Sequence, residues 1–216
     1  MEGNTLNNLK RTLRRRDVIV DTAESLFIGK GFNNTSVDEI VTKLGVAKGT
    51  FYYYFKSKEE ILDELLNRYL KNVKKIADEI VLKEELNAPD KIILLFKQIS
   101  RYSESRKNIF DYLHEESNAQ LHLKYEKKSF PLLIPSFVKM IKQGVKEGVF
   151  NTNYPEEAAV AILGLNDTLI GKKKIIKDRI KKWQEQATVF FDFLERILGA
   201  KTGTFSKTRF FFEGRC

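Results

Sequence analysis

Cysteine is nearly missing from this chain: the only one, Cys216, is the last of 216 residues. No disulfide can form within the chain, and no thiolate cluster can hold a metal. A reducing cytoplasm is the expected setting. Long apolar runs are also absent. The stretch 158–165 falls far short of the roughly 20 residues that cross a bilayer, and the polar, basic start at 1–16 lacks the apolar segment of a signal peptide. Neither secretion nor membrane spanning is expected. Proline (4) and glycine (12) are scarce, which excludes collagen-like and Pro-rich disordered compositions and leaves helix formers dominant. Gly-rich phosphate loops, nucleophile elbows and HExxH are missing, as is any credible Ser/His/Asp or Cys/His arrangement. The chain is therefore expected to be no enzyme and to need no cofactor. Its two histidines, His114 and His122, lack the i, i+4 spacing that puts two ligands on one helical face, so no metal site is expected.

Positive charge is plentiful and unevenly placed. The net charge is +9, yet residues 59–170 hold 16 basic and 18 acidic side chains, while 1–58 hold 10 and 6 and 171–216 hold 12 and 5. Both ends are basic and the middle is not. Lys10, Arg11, Arg14, Arg15 and Arg16 form a basic arm suited to a polyanion, whose condensed counterions are released on binding.

Helical periodicity runs through almost the whole chain. Ile19, Ala23, Leu26 and Phe27 fall on one face of a helix expected from about Thr12 to Gly29, with Gly31 as a left-handed stop. Ser36 and Glu39 have the spacing of a capping box, which starts a second helix at Val37 and leaves Ile40, Val41 and Leu44 facing inward. That helix ends at Gly45, and a third, short one carries Lys48 to Tyr54. Ser57 can cap a long fourth helix with apolar positions from Ile61 to Ile80. Further helices are expected over 89–105, 107–116, 121–148, 155–171 and 175–198, with Pro131 and Pro135 kinking or splitting the third of these. No strand pattern competes, and the tail 201–216 has no useful periodicity.

A capped helix, a glycine turn and a short second helix make the supersecondary unit that lays a recognition helix in the DNA major groove. At 100° per residue, Ala47, Phe51, Tyr54 and Phe55 gather on one side of the third helix. Gly49, Thr50, Tyr52 and Tyr53 point broadly the other way, with Lys48 on the flank. Adjacent outward tyrosines can give their hydroxyls to phosphate oxygens. Lys48 and Thr50 can reach base edges or phosphates, Gly49 lets the backbone approach closely, and Lys58 is a further phosphate candidate. Ser36 is a helix cap that can also meet a phosphate.

The stretch AESLFIGKGFNNTSVDEIV, the series from Gly45 to Thr50 and FYYYFKSKEEIL together resemble the DNA-binding domain of the tetracycline-repressor (TetR) family. The likeness covers about residues 16 to 66. GVKEGVFNTNYPEEAAVAILGL resembles, more weakly, the family's passage into its penultimate helix. One departure is Tyr54, where the family commonly has His. The resemblance implies an all-α fold of about nine helices: a DNA-binding domain over 1–58, an effector-binding and dimerisation domain over 59–200 entered by a connecting helix at 59–80, and a tail at 201–216. It also implies a homodimer on palindromic double-stranded operator DNA, most commonly a repressor, released by a small effector. The implied DNA contacts are Thr35, Ser36, Lys48, Gly49, Thr50, Tyr52, Tyr53 and Lys58.

The last helix supports a dimer on its own account. Ile176, Ile180, Trp183, Ala187, Phe190, Leu194 and Ile197 are spaced alternately four and three apart, the seam of a helix packed along another. Ile162, Leu165 and Leu169 of the preceding helix, with Ala158, would complete a four-helix contact. The same seam could instead face its own core. For the effector, expected to be small and largely apolar, Tyr102, Tyr112, His114, Phe137, Asn166 and Trp183 are the candidate pocket residues. An architectural DNA-binding protein without an effector remains the alternative.

Overall fold

The computed structural model describes residues 2–171 and 183–206, with side chains at 14–115, 117–169 and 188–206. Every regular element among the described residues is helical. They are α1 (Glu2–Lys30), α2 (Val37–Leu44), α3 (Lys48–Tyr54), α4 (Lys58–Val81), α5 (Ala88–Glu104), α6 (Lys107–Leu113), α7 (Ala119–Lys146), α8 (Pro155–Asn166) and α9 (Trp183–Leu198). A 3₁₀ turn at Glu116–Asn118 precedes α7, and a π turn at Asp167–Gly171 follows α8. The first helix starts ten residues before the expected Thr12.

The chain divides into two compact units: Met1–Lys71 with Ser103–Ala119, and Asn72–Tyr102 with Gln120–Cys216. A motif-based cut at residue 58 differs from this division. The first half of α4 falls in the same unit as the helix-turn-helix, and α6 returns to lie on α1, where Arg106 Nε donates to Glu24 Oε1 at 2.9 Å. Ile19, Val20, Ala23 and Phe27 of α1, Ile40 of α2, Phe51 of α3 and Ile61, Leu62 and Leu65 of α4 fill the first unit's core. Arg16 on α1 reaches Glu64 on α4 at 3.1 Å and lies 4.8 Å from the centre of the Phe55 ring.

The second unit buries an aromatic cluster. Phe96 meets Phe137 at 5.7 Å and Phe190 at 4.8 Å between ring centres, and Phe191 stacks on Phe205 at 5.6 Å. Pro131 and Pro135 neither split α7 nor end it. Both are exposed, four residues apart on one face, so the carbonyls they leave without a helical donor lie toward water. The start of the tail is ordered by α9: the buried Glu195 carboxylate accepts the backbone N–H groups of Gly203 and Phe205, at 3.1 and 3.0 Å. Phe205 is itself buried.

Candidate nucleic-acid interface

The turn between α2 and α3 is set by Gly45, whose φ of +66° lies in the left-handed region that side chains disfavour. Its N–H closes on Thr42 and that of Val46 on Val41. At the other end of α2 the capping box is complete: the Ser36 hydroxyl accepts from the Glu39 N–H at 3.2 Å, and the Glu39 carboxylate accepts from the Ser36 N–H at 2.9 Å. Lys30 also donates to Glu39. That hydrogen bond first, and the Ser36 N–H second, hold the Glu39 carboxyl down at about 2.

On α3, Phe51 and Phe55 are buried while Tyr52 is 51% and Tyr53 77% exposed. Gly49 is exposed, and a methyl group there would meet nothing within 4 Å. Thr50 and Tyr54 are half-buried. Ala47, expected on the inner side, is exposed instead. It is the N-cap, with extended backbone angles, so helical spacing does not govern where its side chain points.

Lys48 is exposed but engaged. Its ammonium lies 2.7 Å from Asp38 Oδ1 and 3.0 Å from Oδ2 on α2, and the Asp38 hydrogen bond is the main reason its pKa is raised. Thr35 is 1% exposed and its hydroxyl donates to the Gly31 carbonyl at 2.8 Å, so its side chain faces inward rather than toward a ligand. Lys58 donates to the carbonyls of Phe32 and Thr35, at 2.9 and 3.0 Å, and so binds the α1–α2 loop to α4. Its ammonium also lies over the Phe32 ring.

Thr35, Ser36, Tyr52 and Lys58 border one open groove of about 510 Å³, lined also by Asn34 and Lys56; Lys48, Gly49, Thr50 and Tyr53 do not line it. The structure thus brings Ser36, Tyr52 and Lys58 together. It adds Lys56, whose place in a loop gave no periodic signal, and Asp38, whose pairing with a residue ten positions away follows no local spacing rule. Cations, tyrosine hydroxyls and an outward helix face are the chemistry of phosphate and base-edge contact.

The six pocket candidates do not belong to one unit. Tyr112 and His114 lie in the first, where the Tyr112 ring packs 4.4 Å from that of Phe32 and His114 Nδ1 is 2.6 Å from the Phe110 carbonyl. Tyr102, Phe137 and Asn166 lie in the second. There the Tyr102 hydroxyl accepts from Asn72 at 2.7 Å, and Phe137 is fully buried in the aromatic cluster. The side chain of Trp183 lies outside the described residues. His122, also in the second unit, is buried with Nε2 3.1 Å from Asp167 and Nδ1 3.7 Å from Glu126.

The dimer-seam candidates divide as well. Ile162, Phe190 and Leu194 are buried within their own unit, where α8 packs on α9. Leu165, Leu169 and Ile197 are half-exposed. Ile176, Ile180 and the side chain of Ala187 lie outside the described residues. Among the described residues of these helices, the large apolar side chains that stand out are Val160 and Phe193, 46% and 42% exposed. The seam spacing did not single them out.

A capped helix, a glycine turn and a short helix with an exposed polar and aromatic face define a helix-turn-helix DNA-binding protein. Residues 19–65 match the family model described as bacterial regulatory proteins, tetR family. The uncharacterized HTH-type transcriptional regulator YuxN of Bacillus subtilis is 47% identical over 55 residues, which are 26% of this chain and only 19% of that protein. The uncharacterized HTH-type transcriptional regulator YhgD of the same organism is 28% identical over 165 residues, 74% of this chain and 84% of YhgD. A solved structure of RolR in complex with resorcinol superposes with a TM-score of 0.62 at 17% identity, covering 96% of this chain and 97% of that one. Residues 19–65 thus carry the tetR-family DNA-binding module, and over most of its length the chain resembles an HTH-type transcriptional regulator. Among the described residues no helix is long and apolar enough to cross a membrane.

Proposed function

We propose that this chain is a dimeric one-component regulator, a repressor of transcription in the cytoplasm. It reads palindromic operator DNA with α3, and a small, largely apolar effector releases it. The observation that carries this reading is the outward face of α3, where Gly49, Tyr52 and Tyr53 are exposed over the buried Phe51. Ser36, Lys56 and Lys58 supply phosphate contacts along the neighbouring groove. A second copy places its own α3 about one helical turn, roughly 34 Å, away on the duplex. Val160 and Phe193, with the half-exposed Leu165, Leu169 and Ile197, are the contact surface proposed for that copy.

Effector binding is assigned to the helical second unit, whose Tyr102, Phe137 and Asn166 combine aromatic and polar groups. The resorcinol carried by RolR, which shares the fold, supports a small ligand of this kind. An effector that prefers the conformation with misplaced recognition helices lowers operator affinity, and operator must weaken effector binding equally.

The test is a binding titration with fragments of the protein's own promoter region, with unrelated duplex as competitor. A regulator prefers its site by about 10³ or more. Equal affinity for both would leave an accessory DNA-binding protein, and failure to bind either would remove the DNA-binding reading.

A further inference from the structure

Both carboxylates in the first turn of α2 hold a lysine from another helix: Glu39 takes Lys30 of α1, and Asp38 takes Lys48 of α3. The second pair matters for recognition, because Lys48 is the first residue of the helix proposed to enter the groove. Its side chain is 51% exposed and that of Asp38 68%, so the pair sits in water, where such bridges add little to stability. The bridge itself therefore adds little to stability, while it places an anion beside a surface that must approach phosphates. With both carboxylate oxygens within 3.0 Å of Nζ, the ammonium is held in place and its charge is cancelled locally.

An unpaired lysine at the start of a recognition helix is drawn to the nearest phosphate, which carries no sequence information. A lysine held by a carboxylate instead presents a fixed donor beside a fixed acceptor. In the major groove a G·C pair offers the complement: guanine O6 and N7 accept from lysine, and the cytosine N4 amino group donates to a carboxylate. An A·T pair offers acceptors and a donor in another order: its N6 amino group stands where guanine has O6, so only G·C lets the lysine span two acceptors while the carboxylate takes the next donor.

We propose that Asp38 is a specificity-determining residue: it holds Lys48 off the phosphates, and the couple reads one G·C pair in each half-site. This rests on the operator reading above. The residue gave no signal in the sequence beyond an acid at a helix start, where the helix dipole alone accounts for it.

The test compares the full-length protein with Asp38→Asn and Lys48→Gln, titrated against a promoter fragment that the wild type selects and against unrelated duplex, over a series of salt concentrations. Asp38→Asn frees Lys48 for a phosphate. Its affinity for unrelated duplex should rise several-fold, and its salt dependence should steepen by about 0.9 per recognition helix. Its preference for the promoter site should fall by roughly tenfold or more. Lys48→Gln should lose preference without the steeper salt dependence. Replacing each G·C pair of the site in turn should reveal one position per half-site that the wild type discriminates and Asp38→Asn does not. Both substituted positions are exposed, and matching urea midpoints confirm that the fold is intact. A variant that keeps the wild-type preference and salt dependence overturns the assignment while leaving the regulator reading in place. A wild type without any preference would overturn the regulator reading itself, and this assignment with it.

Discussion

The ammonium of Lys58 holds Phe32 in two ways, lying 4.3 Å from the centre of its ring and 2.9 Å from its carbonyl oxygen. Lys58→Met keeps the stem and removes the charge. It leaves the Thr35 carbonyl without this donor and the Phe32 carbonyl with only the Thr35 N–H, and should cost about 1–3 kcal/mol in urea denaturation. An unchanged midpoint would show that water replaces the lysine without loss.

The contact of Lys30 with Glu39 gives a pH-dependent prediction. The carboxyl is held at about 2 against an ordinary 4.5, so its contribution is complete above pH 4.5 and is lost as pH falls toward 2. Lys30→Met removes the main cause. The gap in urea midpoint between variant and wild type should be largest above pH 4.5 and close by about pH 2. A gap that stays constant across that window would place the effect elsewhere.

Tyr53 and Phe51 are two residues apart and face opposite ways. Tyr53→Ala should weaken promoter binding about tenfold or more while shifting stability by less than about 0.5 kcal/mol, as expected for an exposed side chain. Phe51→Ala should cost roughly 3–5 kcal/mol, because a fully buried ring is lost. Wild-type DNA affinity in Tyr53→Ala would show that another face of the helix meets the duplex.

Gly199 ends α9 at a φ of +58°, and a methyl group there would lie 2.3 Å from the Asn151 carbonyl oxygen. The Asn151 N–H in turn donates to Leu198 at 2.8 Å, so the backbone has little room to withdraw. Gly199→Ala should cost more than about 1 kcal/mol from the backbone conformation alone. A thermal scan that matches wild type would mean the 148–151 turn yields freely.

Local rules made the helix-turn-helix readable from the amino acids. Ser36 and Glu39 are three apart, Gly45 lies where a left-handed residue must end α2, and Phe51 and Phe55 are one turn apart. Pairings across the fold left no such trace. Asp38 meets Lys48 and Lys58 reaches Phe32 only once the helices are packed, and Thr35 is buried because its hydroxyl folds back on Gly31. The α9 seam was ambiguous for another reason: one apolar stripe satisfies either a chain's own core or a second copy. Phe190 and Leu194 are buried in the core, whereas Phe193, between them in sequence, stands outward. Tyr112 has the composition of a pocket residue, and its packing on Phe32 could not be inferred from its neighbours in sequence.

The clasp formed by Glu195 decides how far the C-terminus can be altered. A chain cut after residue 200 would lose the two donors that satisfy a buried carboxylate and would uncover the faces of Phe150 and Phe191 that Phe205 now covers. Shortening that preserves residues through 206 keeps both donors and the Phe205 ring that make up this plug.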